Sequence, residues 1–420
     1  MKKSVIFIII AIFAVIAVAT ILFQNKNSIK RYIKRHFHDF PDEKRDYQPY
    51  FGQLNFAISL LDSLQKENPN QNIVYSPHSI YQALLLVYFG AGGETEEELK
   101  HYLGLNWAKS KDEVANIYKL EKQVRDNRFR NQSIILYSVN RLYVAQDIIL
   151  RDSVKRLLND SIEHLNFVTD PYQCIQHINQ FVANVTKGHI KNVIDGGINL
   201  MFVIVNALYF QGKWANNFYH TGRNLFYPAH GKPVYVDMMQ GRRSAEYGVV
   251  KSLDVQYLKL PYEGAKGSIS MYIFLPNIDS VNIDEILEDF TAEILDYVFS
   301  GVRSIYGDVD IKLPKFTIEK QFHLESVMQR MGMKNLFKNP NFSDLFESKE
   351  RKLNTKLVHK AKINVDERGT IAVATTGSIL WPISLKYYKD FYCNQPFLYV
   401  IHDQKFKEIL FAGIYYGPNL

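Results

Sequence analysis

Apolar residues recur three and four apart over residues 54–64, and again from Ser76-Pro77 to Leu86, where proline takes a tolerated first-turn position; both stretches predict helices. Gly90-Ala91-Gly92-Gly93 breaks the pattern, and Thr95 with Glu98 has the spacing of a capping box for a helix running toward Leu103. Further helical patterns cover 154–164, 174–185, 282–299 and 324–331. Runs rich in β-branched and aromatic residues predict strands at 134–142, 201–210, 234–239, 255–260, 269–275, 308–313, 397–401 and 409–414. Helices and strands are interspersed without a regular βαβ period, which predicts an α+β fold. No internal repeat and no linker follows Tyr50, so residues 50–420 read as one large domain.

One segment resists assignment. From Thr370 every second residue is small or modest (Thr370, Ala372, Ala374, Thr376, Ser378), Ile371 and Val373 stand between, and no charge falls between Arg368 and Lys386. The alternation is that of a strand, yet the stretch runs into the proline-interrupted Leu380-Trp381-Pro382-Ile383. It reads as a strand without a sheet.

Composition adds a size and a charge. The 420 residues are 47% hydrophobic and 14% aromatic, enough for a large core. Of the net charge of +7, residues 1–46 contribute nine Lys/Arg against four Asp/Glu, so the body is nearly balanced and is no nucleic-acid binder. Cys174 and Cys393 are far apart and outside any metal-ligand spacing; two free buried thiols are favoured over one bridge.

The N-terminus pairs Lys2 and Lys3 with an apolar run over residues 5–23. Residues 1–23 form a signal peptide, with Ala17-Val18-Ala19 offering cleavage after Ala19, or an uncleaved membrane anchor through residues 5–23; the following Lys26, Lys30, Arg31, Lys34 and Arg35 would then favour the cytosolic side. Residues 24–49 are a basic polar leader. Secretion is the expected fate, and the Asn-x-Ser/Thr sequons at Asn131, Asn159, Asn184 and Asn341 fit a glycosylated luminal chain.

Catalytic signatures are missing: the sequence has no Gly-x-Ser-x-Gly, no His-Glu-x-x-His and no metal-ligand cluster. The glycine run at 90–93 is no phosphate cradle, because Glu94, Glu96, Glu97 and Glu98 would repel phosphate and no Lys-Ser/Thr follows.

Several phrases, in order across nearly all of 50–420, resemble the serpin family of serine protease inhibitors. They include Asn72-Ile-Val-Tyr-Ser76-Pro-His-Ser79, Gly90-Ala-Gly-Gly-Glu-Thr95, Thr186-Lys-Gly-His-Ile190, Val205-Asn-Ala-Leu-Tyr-Phe-Gln-Gly-Lys-Trp214, Leu313-Pro-Lys-Phe316, Val358-His-Lys-Ala361, Glu367-Arg-Gly-Thr370 and Pro396-Phe397. The resemblance implies three β-sheets, about eight or nine surrounding helices, and an exposed reactive loop over 367–390. It implies an inhibitor without catalytic turnover and without a cofactor, a suicide substrate whose loop, once cleaved by the target protease, inserts as a new strand of the central sheet.

Within that frame Ser76, Ser79, Asn206 and His359 match the family's polar cluster under the sheet opening, and Trp214 matches the tryptophan at its top; read alone, each is a cap, turn or core residue. Glu367, Gly369, Thr370, Ala372 and Ala374 match the hinge, where small side chains let a strand slide in. Spacing from Glu367 puts the reactive bond at Ile383-Ser384, but the segment to Pro396 is about two residues longer than in common relatives, which shifts the alternative to Leu385-Lys386. Ile383 suits an elastase-like protease, Leu385 a chymotrypsin-like one and Lys386 a trypsin-like one. Ile371 and Val373 depart from the family's usual Glu and Ala, so a non-inhibitory carrier, chaperone or binding module is the alternative function. Lys119, Lys122, Arg125, Arg128 and Arg130 cluster where some relatives bind heparin, a candidate polyanion surface interrupted by Glu121 and Asp126. The expected partner is an extracellular serine protease, elastase- or chymotrypsin-like, met by a monomer.

Overall fold

A computed structural model describes residues 48–128, 134–195, 202–264, 268–277, 282–347, 355–368 and 388–418. The leader, the loop residues 369–387 and the chain end lie outside them. The described residues form ten α-helices and fourteen strands in two hydrogen-bonded sheets.

The helices are α1 (Gln48–Glu67), α2 (Pro77–Tyr88), α3 (Gly93–Tyr102), α4 (Lys111–Arg128), α5 (Asp152–Leu158), α6 (Pro171–Val185), α7 (Ile283–Asp289), α8 (Ala292–Ser300), α9 (Glu325–Met331) and the single turn α10 (Asn335–Lys338). The central sheet has five strands in the order β10 (Phe316–His323), β11 (Thr355–Val365), β4 (Phe202–Gly212), β2 (Ile134–Ala145) and β3 (Ile162–Leu165). The second sheet runs β1 (Ile73–Tyr75), β14 (Glu408–Tyr415), β13 (Phe397–Asp403), β8 (Ile269–Pro276), β7 (Val255–Pro261), β6 (Val234–Val250), β9 (Ile305–Pro314) and β12 (Lys389–Tyr392), with β5 (Tyr219–Phe226) also on β6. The 17-residue β6 joins what the resemblance implies as two separate sheets: its start pairs β5, its end pairs β7, and its middle pairs β9.

Burial explains the runs read from sequence. β4, β8, β13 and β14 are buried at every position, so they read as continuous apolar stretches rather than alternating ones. α2 is buried almost all round, and its entry is fixed locally: Ser76 caps it by accepting the Ser79 N–H, and Pro77 occupies the first turn. Two apolar clusters fill the molecule. One lies among α1, α2, β2 and the start of β4; the other joins the far ends of β4, β10 and β11 to the second sheet.

Three local expectations are corrected. Gly92, not Thr95, is the N-cap of α3. Thr95 is buried inside the helix, accepting the Asn341 N–H, and the Glu98 carboxylate accepts the N–H groups of Lys334, Asn335 and Leu336 at 2.7, 3.0 and 3.0 Å, thereby capping α10 instead. The helix expected over 154–164 ends at Leu158, after which Ile162–Leu165 pairs in parallel with β2, because sheet-edge hydrogen bonds replace helical ones. The pattern at 282–299 is two helices, since Thr291 caps a new one by accepting the Ile294 N–H. The glycine run is a tight turn: a Cβ on Gly90 would lie 2.6 Å from that of Leu345. Cys174 and Cys393 are buried free thiols.

Candidate functional site

The central sheet contains a seam. β11 and β4 pair in parallel from Thr355↔Phe202 to Lys362↔Tyr209. Beyond that pair β4 continues to Gly212 against β2, and β11 continues to Val365 against β10. Past Tyr209 and Lys362 the two strands therefore diverge, at the end where the chain leaves β11 toward residue 369.

Ser76, Ser79, Asn206 and His359 meet at the middle of this seam, where the two apolar clusters adjoin. Asn206 and His359 are register partners on β4 and β11, both fully buried. The Ser76 N–H donates to His359 Nε2 at 3.2 Å, so a neutral imidazole carries its proton on Nδ1 and donates it to Asn206 Oδ1. Asn206 Nδ2 donates to the carbonyl and Oγ of Ser79 at 2.9 and 2.7 Å, and the Ser79 N–H returns to Ser76 Oγ at 3.2 Å. The bonds link β4 and β11 to α2 in a closed ring. Ser138 and Asn140 on β2 complete it through Ser79 Oγ, 3.4 and 3.1 Å away. Sequence reading missed these two; Asn140 is the register partner of Asn206, and two polar residues on a strand face otherwise made of Ile134, Leu136, Leu142 and Val144 were the available signal.

Burial pushes the His359 imidazole down to about 3. Between that value and the ordinary 6.5 the unfolded chain binds the proton and the folded one does not, so stability rises with pH and is lost as pH falls from about 6.5 toward 3. A urea midpoint followed over that window is expected to decline. The decline should flatten by up to about a factor of ten in folding constant per pH unit in His359→Gln. Equal slopes in both proteins would assign the acid sensitivity elsewhere.

Trp214 stands at the diverging end. Its indole Nε1 donates to the Asp366 carbonyl at 2.8 Å and its backbone N–H to that of Arg368 at 2.9 Å, while the Phe218 N–H holds the Glu367 carbonyl at 2.7 Å. The 214–218 segment thus grips the last described residues before the loop. Trp214 also stacks on Tyr262, centroids 4.6 Å apart. The Glu367 carboxylate meets Lys315 Nζ at 3.0 Å and His220 Nδ1 at 3.3 Å. Partial burial would raise this carboxyl, but its own backbone N–H, Lys315 and His220 bring it below its usual range. Lys315, His220 and Phe218 were not singled out from sequence.

Gly369, Thr370, Ala372, Ala374, Ile383, Ser384, Leu385 and Lys386 lie outside the described residues, as does Asn131. The chain is described again from Tyr388, entering β12, which pairs in parallel with β9. Asn184 and Asn341 are exposed, and Asn159 opens a 3-10 turn. Of the expected polyanion cluster, Lys119 is exposed on α4 and Lys122 lies 3.7 Å from Asp160; Arg130 and the side chains of Arg125 and Arg128 lie outside the described residues. Among the described residues no cluster of three or more His, Cys, Asp or Glu is placed to hold a metal ion, and no helix is long and apolar enough to cross a membrane.

Comparisons with known proteins agree on one family. The family model Serpin (serine protease inhibitor) matches residues 52–418. The chain is 31% identical to Serine protease inhibitor 88Ea of Drosophila melanogaster over 395 residues, covering 88% of this chain and 91% of the relative. It is 30% identical to Leukocyte elastase inhibitor of Xenopus tropicalis over 378 residues, covering 87% and 98%. Among solved structures, a thyroxine-binding globulin complex with thyroxine superposes with a TM-score of 0.77 at 24% identity, covering 89% of this chain and all of that one, a likeness of fold alone.

Proposed function

The chain belongs to the serpin (serine protease inhibitor) family, and on that premise we propose that it is no enzyme but inhibits an extracellular serine protease as a suicide substrate. The observation that carries this reading is the parallel β4–β11 seam, splayed at the end from which the loop leaves. A chain that turns back from the end of β11 runs antiparallel to both strands, so it can pair with each of them and replace one parallel ladder by two antiparallel ones. The loop is anchored at its far end by the four residues of β12, on the other sheet. Cleavage between the anchors frees the upstream part to enter, carrying the protease attached as an acyl-enzyme.

The reactive bond is Ile383-Ser384 or Leu385-Lys386. The similarity to an elastase inhibitor supports an elastase-like target. Secretion rests on the basic start at Lys2 and Lys3, the apolar 5–23 segment and the small residues Ala17-Val18-Ala19. Ile371 favours a second reading, a binding module whose loop does not insert, because a bulky residue stands beside the hinge.

Incubation with elastase-, chymotrypsin- and trypsin-like proteases is expected to give an SDS-stable adduct with the first or second. The first residue of the released C-terminal peptide, Ser384 or Lys386, identifies the bond. Complete conversion to cleaved chain without adduct by all three would sink the inhibitor reading.

A further inference from the structure

The grip of the 214–218 segment on residues 366–368 has two halves, and they are supported differently. The Trp214 half rests on β7 and its continuation: Trp214 forms a bridge with Tyr262, and the Ala215 N–H donates to the Pro261 carbonyl at 2.9 Å. The Phe218 half packs its ring edge-on against Trp214, centroids 5.8 Å apart, and its preceding turn is held by one side chain from β6. Arg243 donates through Nη1 to the Asn216 carbonyl and through Nη2 to the Asn217 carbonyl at 3.2 Å. Its guanidinium carbon lies 4.0 Å from the centroid of the Phe218 ring. The planar fork therefore fixes two successive carbonyls and the ring that follows them, a geometry that a lysine ammonium does not reproduce.

Gly241, two residues earlier on β6, makes room for it. A Cβ at 241 would press on Arg243 Nη2 and stand 2.9 Å from Cζ and 3.1 Å from Nε, so any larger residue would turn the guanidinium away from this place. Neither Gly241 nor Arg243 has a hydrogen bond to the loop anchor among the contacts described, yet both bear on the Phe218 N–H that holds Glu367.

We propose that Arg243, seated by Gly241, is a positioning residue for strand insertion: it fixes the 216–218 turn and so governs release of the Glu367 carbonyl, an early bond to break when the chain after β11 folds into the seam. This rests on the insertion reading above. Arg243 reaches the anchor through the turn it fixes. Its effect passes through one backbone hydrogen bond.

Residue-resolved amide exchange on the intact protein tests it without any protease. Arg243→Met and Gly241→Ala are each expected to speed exchange of the Phe218 amide about tenfold, the loss of two charge-assisted bonds, while the Trp214 amide, held from β7, changes little. Arg243→Lys should fall between. Unchanged Phe218 exchange in both variants, or Phe218 and Trp214 rising together, would overturn the assignment. In parallel, both variants are assayed for the share of loop cleavages that end in adduct, which should rise as the anchor lets go sooner. If the unaltered protein forms no adduct, the inhibitor reading falls while the exchange result still decides the role of Arg243.

Discussion

Nicked in its loop by a protease it does not trap, the protein is expected to melt more than about 10 °C above the intact form, corresponding to about 5 kcal/mol or more at roughly 2 °C per kcal/mol for a large domain. The gain comes from the seam. In the intact chain β4 and β11 pair directly over eight register positions and then part. An inserted strand pairs with both of them along its length and fills the splayed end, where Phe210–Gly212 and Ile363–Val365 do not face each other in register. Its alternate positions carry Thr370, Ala372, Ala374, Thr376 and Ser378, small enough to enter a packed sheet without forcing neighbours off their rotamers. Scanning calorimetry before and after limited proteolysis, with the cut mapped by mass, makes the measurement. A nicked chain that melts with the intact one has kept its loop outside, and the binding-module reading then takes precedence.

The second large effect is expected at Asn206. Replacing it by alanine removes the acceptor for His359 Nδ1–H and the donor to Ser79 in a site sealed from water. Each orphaned buried group costs about 1–3 kcal/mol, and the partners are several, so Asn206→Ala should lose about 3–5 kcal/mol of folding free energy. Denaturant unfolding reads this as a lower midpoint at similar slope. Thr317→Ala, which removes an exposed cross-strand bond to Asn364 on the same sheet, should cost well under 1 kcal/mol. Comparable losses at the two positions would show that the buried ring contributes no more than an ordinary surface bond.

What could be read in advance followed burial. β8 and β13 are buried at every position and carry unbroken apolar runs over 271–275 and 397–401, so the chain announces them; the start of α2 could be read from the local hydroxyl cap at Ser76, whereas the like cap at Thr291 sat inside a continuous apolar pattern and was passed over. β11, the strand that lines the seam, escaped the pattern reading. Lys356, Lys360 and Lys362 alternate along its outer face with Leu357, His359, Ala361 and Ile363 inside, and a histidine and an alanine at inward positions dilute the apolar signal. α4 was hidden by the low overall hydrophobicity of its sequence, in which charged and amide residues outnumber the apolar stripe of Val114, Ala115 and Tyr118. The capping of α3 was misread because the partners of Thr95 and Glu98 lie more than two hundred positions away, and no local spacing reveals such a pairing. For the site, the resemblance led to Ser76, Ser79, Asn206, His359 and Trp214 because they sit in quotable phrases. Ser138, Asn140 and Arg243 belong to the same regions only through register and packing.

The polar ring lies between two apolar masses, with Leu357 and Val358 of β11 in one and Ala361, Ile363 and Val365 in the other. Dispersion contacts fade gradually as surfaces part, whereas directional bonds among buried groups are either made or lost. On the insertion reading the ring is a perforation with a snap at its centre: separation creeping down from the splayed end would meet a threshold at His359 and beyond it have only greasy contact left to overcome. A molecule so built tells time by the lifetime of a handful of bonds, and its useful span is a matter of rate.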